Sequence, residues 1–311
     1  MIQEIRIKNY LSFRDEVVLS FEATKDTTFE ECQVVNVTPK VRLLRFALIY
    51  GANASGKSNL LNAMDFLRGF WFDKKSDIDE ETGVVPFLLD TETPNEPSEF
   101  NIKFFVGDKR YWYALVLDDK QVIKEDLYVY NSVQPSLVFS RKLDGTASLI
   151  KLNANLVKSN ATIVEQLNVK CLSNMSFFAA RNQVNCSLAY IDEVRDWMKN
   201  NMMPIIEPGT RMFEYAGKQM EKNAELKAYI LDFVHKADYN ITDVYTEREK
   251  MPIPDFVKAS IMEDKDIPEK TKEKMLADNA LERLRTDFQH TVKNKRGEEN
   301  YRLSNSLQSE G

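Results

Sequence analysis

One short motif and its flanking segments constrain this fold more than any other feature of the sequence. Residues 51–58 read Gly-Ala-Asn-Ala-Ser-Gly-Lys-Ser and match G-x-x-x-x-G-K-[ST] at every fixed position. An apolar segment, 46–50, precedes them, and apolar residues at helical spacing follow: Leu60, Leu61, Met64 and Leu67. We therefore predict a strand over 46–50, a phosphate-binding loop, and a helix that starts at Ser58. An accidental glycine-containing turn is the alternative.

Each residue type in the motif suits phosphate binding. Gly51 and Gly56 allow backbone conformations in which successive N–H groups point at phosphate oxygens, and the helix adds its positive end. Lys57 is predicted to bridge the β- and γ-phosphates, and the Ser58 hydroxyl to complete the shell of a metal ion. The predicted cofactors are therefore ATP and Mg²⁺. The predicted nucleotide-binding residues are Gly51, Ala52, Asn53, Ala54, Ser55, Gly56, Lys57, Ser58 and Asn59, with Lys57 also assigned to catalysis.

Composition limits the other function classes. The chain has 311 residues, 43% hydrophobic and 29% charged, which is enough for one elaborate domain or two modest ones. No apolar run reaches the length of a membrane span, and the N-terminus lacks a signal peptide, so we predict a cytoplasmic protein without a membrane partner. The net charge of −6 argues against extensive coating of nucleic acid and leaves a local basic groove open.

Cysteines and histidines give no sign of a metal site. Cys32, Cys171 and Cys186 are widely separated and lack C-x-x-C spacing, so we predict reduced side chains in or near the core. His235 and His290 are too few for a histidine-rich site and are assigned structural roles.

Hydrophobic periodicity in the N-terminal half predicts mainly β-structure. Two short strands surround a polar connection within residues 2–21, and an irregular connection covers 70–98. From Phe100 the apolar residues alternate, with turns rich in Gly and Asp between the runs. We therefore expect an antiparallel meander of four or five strands that ends near Leu152.

The C-terminal half shows helical spacing instead. Apolar residues recur every three or four positions over 188–197 and 226–233, which predicts two half-buried helices. The charged stretch 255–285 is interpreted as a helical insertion or protruding arm. Residues 286–292 and 300–303 are predicted to form a short β-pair.

Three segments together resemble a known family. They read Ile-Gln-Glu-Ile-Arg-Ile-Lys-Asn-Tyr-Leu-Ser-Phe-Arg (2–14), Tyr-Gly-Ala-Asn-Ala-Ser-Gly-Lys-Ser-Asn-Leu-Leu-Asn-Ala-Met (50–64) and Ser-Leu-Gln-Ser-Glu-Gly (306–311). Through these segments the chain resembles the ABC-type ATPases of the RecF, SMC and OLD group. Within that group it is most similar to the RloA- and AriA-like bacterial ATPases, which are described as AAA-type and have an ABC-like head. This implies an α/β P-loop NTPase with an ABC-like head and mixed sheet, an antiparallel β meander and a helical lobe. The expected domains are an N-terminal ATPase lobe, 1–170, and a helical lobe, 171–311.

The resemblance also assigns roles to single residues. Ser309 and Gly311 correspond to the signature motif, which contacts the γ-phosphate held by the opposite protomer; a plain polar tail is the alternative. Gln183 lies where the family has a glutamine that approaches Mg²⁺ and the attacking water, so it is assigned to metal binding and catalysis. Arg14 and Ser12 lie in a connection that borders the nucleotide in related ATPases. An ordinary polar loop residue and a surface arginine are the alternatives for Gln183 and Arg14.

One element of the family pattern is expected to be missing. In these ATPases the Walker B strand, which ends in Asp-Glu, follows the signature, and this sequence stops at Gly311. Residues 188–193 imitate such a strand, but their apolar positions continue at helical spacing beyond it. We therefore predict that Asp192 and Glu193 lie on a helix, and we expect the chain alone to bind ATP and to hydrolyse little.

The favoured function is an ABC-type P-loop ATPase in which nucleotide-driven dimerisation controls a partner effector. The family likeness points to DNA metabolism or phage defence and to an effector nuclease, with nucleic acid left open. The expected assembly is a homodimer, or a higher homo-oligomer, that sandwiches ATP. The alternatives are a nucleotide-binding scaffold without catalysis and another P-loop enzyme such as a small-molecule kinase.

Overall fold

The computed structural model describes residues 1–207, 209–210, 212–237, 240–263, 272–273, 276–277 and 280–304. The fold is mixed α/β and divides into two compact units, Met1–Ile205 and Ile206–Gly311. This boundary lies later than the expected one after residue 170, because residues 171–202 contribute to the same hydrophobic core as the N-terminal strands. No helix of the described residues is long and apolar enough to cross a membrane.

The first unit combines strands with five helices among its described residues, apart from a short 3-10 turn at Thr93–Asn95. In chain order they are β1 (Ile2–Lys8), β2 (Val17–Ser20), α1 (Glu30–Gln33), β3 (Val34–Thr38), β4 (Val41–Leu44), α2 (Lys57–Phe70), β5 (Ser98–Val106), β6 (Lys109–Leu117), β7 (Val122–Tyr130), β8 (Ser136–Asp144), β9 (Ala147–Leu152), α3 (Ala161–Lys170), α4 (Phe177–Arg181) and α5 (Ile191–Asn201).

Seven of these strands form one antiparallel sheet in the order β2-β1-β5-β6-β7-β8-β9. The N-terminal pair and the meander were both predicted, and both are confirmed. Their junction is the pairing of β1 with β5, in which Ile5 lies opposite Ile102. The remaining pair, β3 with β4, forms a separate hairpin. All strand pairs of the described residues are antiparallel, so the mixed sheet expected around the loop is not among them.

Helix α2 packs against the inner face of the large sheet. Its residues Leu60, Ala63, Leu67 and Phe70 are buried at spacings of three and four, which confirms the helix predicted after the motif. They share a core with the alternating apolar residues of the strands. Because one face of α2 is fixed in this way, the loop at its N-terminus has a defined position.

Residues 46–50, predicted as a strand, adopt no regular structure. They follow β4, yet none of the described residues forms a backbone hydrogen bond with them. Phe46, Leu48 and Tyr50 are 68%, 74% and 87% exposed. The prediction was wrong because an apolar run becomes a strand only beside a neighbour that accepts its hydrogen bonds, and no described strand lies there.

A buried ion pair joins the sheet to the segment before α4. Arg141 on β8 lies 3.1 Å from Glu125 on β7, and both side chains are fully buried. Arg141 also donates to the carbonyls of Leu172 and Met175 at 2.8 and 2.6 Å. Because these bonds attach residues after 170 to the sheet, they explain why the first unit extends beyond the predicted boundary.

The second unit is a small sheet with helices. In chain order its elements are α6 (Phe213–Lys222), α7 (Ala224–Lys236), β10 (Asp243–Pro252), α8 (Asp255–Glu263), β11 (Ala280–Asn294) and β12 (Gly297–Ser304). Strand β11 lies between β10 and β12 in a three-stranded antiparallel sheet. Gly217 lets α6 approach this sheet closely, since a Cβ there would lie 3.2 Å from the Thr246 methyl group.

The predicted helical arm over 255–285 is only partly correct. Helix α8 confirms its first part, residues 264–271 lie outside the described residues, and residues 280–285 belong to β11 instead. The register sets Glu247 opposite Arg285, a pairing of opposite charges that favours neighbouring strands. The predicted β-pair is confirmed as part of β11 with β12, whereas β10 was not predicted.

Candidate phosphate-binding site

Residues 51–58 form a loop that leads into the first turn of α2. Gly56 has a φ of 87°, a conformation that side chains disfavour. Ala54 has a φ of 60°, which is uncommon for a residue with a Cβ and indicates a constrained loop. The backbone therefore takes the unusual conformation that the sequence motif requires.

Gly56 also has neighbours that leave no room for a side chain. A Cβ at this position would lie 2.7 Å from the Phe13 ring and 2.9 Å from the Ser12 hydroxyl. Both residues belong to the connection between β1 and β2. Asn59, in the first turn of α2, donates a hydrogen bond to Ser12 Oγ at 2.9 Å. The β1–β2 connection therefore borders the phosphate loop, as predicted for Ser12.

The Lys57 ammonium group lies over the loop. Its Nζ donates to the carbonyl oxygens of Gly51 and Ala52 at 3.0 and 2.6 Å. An ammonium group has three hydrogens, so these bonds leave one for an anion. Within the described residues the N–H groups of Lys57, Ser58 and Asn59 have no backbone acceptor, because they begin the helix. The loop thus gathers one cation and several N–H donors.

This set of donors fits a phosphate group. Ammonium, backbone N–H groups and the positive end of a helix all favour a negative charge. Ser58 occupies the last position of the motif and is exposed. Its hydroxyl oxygen is a ligand that a hard cation such as Mg²⁺ accepts. No group of three or more His, Cys, Asp or Glu side chains among the described residues is arranged to hold a metal ion. Phosphate oxygens and water would therefore supply most of a Mg²⁺ shell.

The β1–β2 connection is held in place by Asn9, whose role the sequence reasoning missed. Its buried side chain donates to the carbonyls of Thr93 and Glu96 at 2.7 and 2.8 Å and accepts from the Phe87 N–H at 3.0 Å. Its φ of 52° is tolerated by Asn more readily than by most residues. The sequence signal that could have indicated this role is an Asn directly after an alternating strand.

Two predicted residues are not brought to the loop. Arg14 lies 3.6 Å from both Asp15 and Asp90 and is more than half exposed. Gln183 is half-buried between α4 and α5, and its Nε2 lies 3.5 Å from the Ala179 carbonyl oxygen. None of their described contacts involves residues 51–58. The predicted signature residues, Ser309 and Gly311, lie outside the described residues.

The Asp-Glu pair that imitates a Walker B strand lies in the first turn of α5, which confirms the predicted helix. Asp192 forms an ion pair with the buried Arg181 at 2.8 Å and accepts a hydrogen bond from the Leu188 N–H. Glu193 accepts from Lys109 and from a tyrosine hydroxyl, Tyr111, both at 2.9 Å. Burial first, and then this carboxylate, raise the pKa of the tyrosine well above its ordinary value.

The three cysteines differ in burial. Cys171 is buried, which raises the pKa of its thiol to about 11, whereas Cys186 is half-buried and Cys32 is exposed, contrary to the prediction for that residue. All three are free.

A cavity of about 620 Å³ lies beside the C-terminal end of α2, and its lining includes no residue of the phosphate loop.

Residues 46–153 match the protein family described as AAA domain, putative AbiEii toxin, Type IV TA system. The matching segment contains the phosphate loop, α2 and the strands of the meander. It supports an AAA-type P-loop ATPase domain, a nucleotide-binding class that typically works with Mg²⁺. No curated protein and no solved structure matches the chain significantly.

Proposed function

We propose that this chain is the ATP-binding part of an ABC-type ATPase in which bound nucleotide favours association of two copies. The loop at 51–58 carries the proposal, since the Lys57 ammonium group and the free N–H groups of α2 converge there. A triphosphate offers the adjacent negative charges that such a set of donors binds.

Individual residues have distinct parts in holding the nucleotide. Lys57 would direct its remaining hydrogen at the oxygens between the β- and γ-phosphates. Ser58 would bind Mg²⁺, which neutralises phosphate charge when bound. Ser12 and Asn59 hold the β1–β2 connection against the loop, so they position the site rather than carry charge.

Hydrolysis also needs a group that orients the attacking water. Asp192 and Glu193 pair with Arg181 and Lys109, and no described contact links either carboxylate to the loop. We therefore propose that this chain by itself binds ATP and turns it over slowly. The same observation favours the second candidate function, a nucleotide-binding scaffold without catalysis.

Association would follow from a shared phosphate. The resemblance assigns Ser309 and Gly311 to the γ-phosphate held by a second copy, and in that arrangement ATP binds the closed dimer more tightly than the monomer. The matched family is described as a putative toxin of a toxin–antitoxin system, which favours a defence role and an effector such as a nuclease.

Light scattering with and without ATP and Mg²⁺ tests the proposal. We expect nucleotide to raise the molar mass of the unmodified chain and of Lys74→Ala, an exposed lysine in the connection after α2. Lys57→Ala should show no such increase. A mass that is independent of ATP in every variant would contradict nucleotide-driven association, and turnover measured on the same samples separates the ATPase from the scaffold.

A further inference from the structure

Helix α7 in the second unit presents two different faces. One face is half-buried at helical spacing and consists of Leu226, Lys227, Ile230, Leu231 and Val234. The opposite face, here the outer face of α7, is exposed. It consists of Glu225, Ala228, Tyr229, Asp232, Phe233 and Lys236.

The outer face carries two largely exposed aromatic side chains. Tyr229 and Phe233 are 67% and 63% exposed, and they are four residues apart, so they are neighbours on the helix surface. Aromatic side chains bury large apolar areas when they are covered, and they are enriched at the centres of protein interfaces. An adjacent exposed pair is therefore a candidate contact surface.

The charges on this face are arranged symmetrically about its middle. Glu225 lies at the N-terminal end and Lys236 at the C-terminal end, at equal distances from the midpoint between Ile230 and Leu231. An antiparallel copy centred on that midpoint would set Glu225 opposite the second copy's Lys236. It would also set Tyr229 opposite the second copy's Asp232, whose carboxylate accepts a hydrogen bond from a hydroxyl.

We infer that the outer face of α7 binds the same face of a second copy of this chain, with the two helices antiparallel. Such an isologous contact forms each favourable pair twice. Within one helix Lys236 already donates to Asp232 at 2.7 Å, so in the pair its ammonium group would lie between Asp232 and the second copy's Glu225. Phe233 would pack beside the second copy's Tyr229.

The charges also disfavour the parallel arrangement. Parallel helices in register would set Glu225 against Glu225, Asp232 against Asp232 and Lys236 against Lys236, and like charges repel. Antiparallel helices set the positive end of one dipole beside the negative end of the other. Both the charges and the helix dipoles therefore favour the antiparallel pair over the parallel one.

The contact is small and needs no nucleotide. A helix of 13 residues is roughly 20 Å long, so one helix pair covers less surface than standard stable interfaces. We expect a weak dimer with a dissociation constant of about 10 to 100 µM. It is separate from the ATP-dependent association proposed above, because it uses no residue of the phosphate loop.

Sedimentation of the whole chain without nucleotide tests the inference, at concentrations from about 1 to about 300 µM so that the expected constant is bracketed. We expect a monomer–dimer equilibrium that Lys57→Ala leaves unchanged. Phe233→Ser, Glu225→Lys and Lys236→Glu should each weaken it about tenfold or more. The double variant Glu225→Lys with Lys236→Glu should restore it, because the charges then exchange places.

Lys222→Glu on α6 is the matched control, since it makes the same charge change at an exposed position off the outer face. Circular dichroism of each variant checks that it is folded. A monomer at every concentration, a dimer that the charge reversals do not weaken, or a double variant that fails to recover would each overturn the inference. None of these results bears on ATP binding, so they leave the proposed function to its own test.

Discussion

Asn59, in the first turn of α2, donates a hydrogen bond at 2.9 Å to the hydroxyl of Ser12, 47 residues earlier in the chain. The contact fixes the β1–β2 connection against the N-terminus of the helix that holds the phosphate loop. Because the loop has little other cover, we expect its order to depend on this contact. A preformed loop binds phosphate without first losing conformational freedom.

Removing either partner should therefore weaken ATP binding. A hydrogen bond of this kind contributes about 0.5 to 1.5 kcal/mol, which corresponds to roughly a twofold to tenfold loss of affinity for Ser12→Ala or Asn59→Ala. Titration calorimetry with Mg²⁺-ATP measures it, with Ser132→Ala in the exposed turn after β7 as control. Strictly additive effects in the double variant would show that the two side chains act independently.

Gly56→Ala should abolish ATP binding. The φ of 87° disfavours a side chain, and the added methyl group would meet the Phe13 ring and the Ser12 hydroxyl at under 3 Å. Gly69→Ala is the matched control, because Gly69 lies in α2 with nothing within 4 Å of a Cβ, and Ala favours a helix by up to about 1 kcal/mol. Equal ATP affinities in the two variants would mean that the loop is not the site.

Arg141→Met should destabilise the first unit strongly. It leaves the Glu125 carboxylate buried without its cation, which costs about 3 to 5 kcal/mol. Urea unfolding measures the loss, and Lys142→Met, at the exposed neighbouring position, should change stability by less than about 0.5 kcal/mol. Glu125→Gln removes the charge and keeps an oxygen for the hydrogen bonds from Tyr113 and Ser176. If Arg141→Met with Glu125→Gln were no more stable than Arg141→Met, an unpaired buried charge would not be the cause.

Stability should fall in acid partly through Glu4. A hydrogen bond from Arg6, reinforced by Lys103, lowers the pKa of this carboxyl to about 2 against the opposing effect of burial. The folded-state pKa is thus below the unfolded value, so the contribution is complete above about pH 4.5 and is lost as the pH falls towards 2. Melting temperatures across this range should depend less on pH in Glu4→Gln than in Glu31→Gln, an exposed carboxyl on α1. Identical pH profiles would contradict this assignment.

Glu193→Gln should leave ATP turnover unchanged. Its carboxylate accepts hydrogen bonds from Lys109 and Tyr111 on β6. The substitution should therefore weaken the attachment of α5 to β6 without affecting a catalytic step. A phosphate-release assay and a melting curve on the same preparation separate these effects. Vigorous turnover by the unmodified chain that Glu193→Gln abolishes would restore the Walker B interpretation of this segment.

Local sequence patterns predicted the elements whose partners lie nearby in the chain. The apolar residues of the meander from Phe100 to Leu152 alternate over much of its length, and most of its turns contain Gly or Asp. Helix α2 follows a motif with a fixed structural role. The loop conformation was predictable too, because the motif requires a glycine at position 56, where φ is 87°. The close approach of the Phe13 ring to this glycine was not predicted.

Elements that depend on distant partners were not predictable. Residues 46–50 look like a strand, yet no described strand offers them hydrogen bonds. The start of β11 looks like a charged helix, yet it pairs with the end of β10: Ala280 lies opposite Pro252 and Arg285 opposite Glu247. The Asn9 side chain orders a segment 84 to 88 residues away, which no periodicity encodes.

The central claim is that the loop at 51–58 binds ATP through Lys57. Titration calorimetry of the unmodified chain, Lys57→Ala and Lys74→Ala with Mg²⁺-ATP tests it directly. We predict saturable binding to the unmodified chain and to Lys74→Ala, and a loss of affinity of about tenfold or more in Lys57→Ala, because a charge-assisted contact to phosphate contributes about 1.5 to 3 kcal/mol. Equal affinities for ATP in Lys57→Ala and Lys74→Ala would contradict the account.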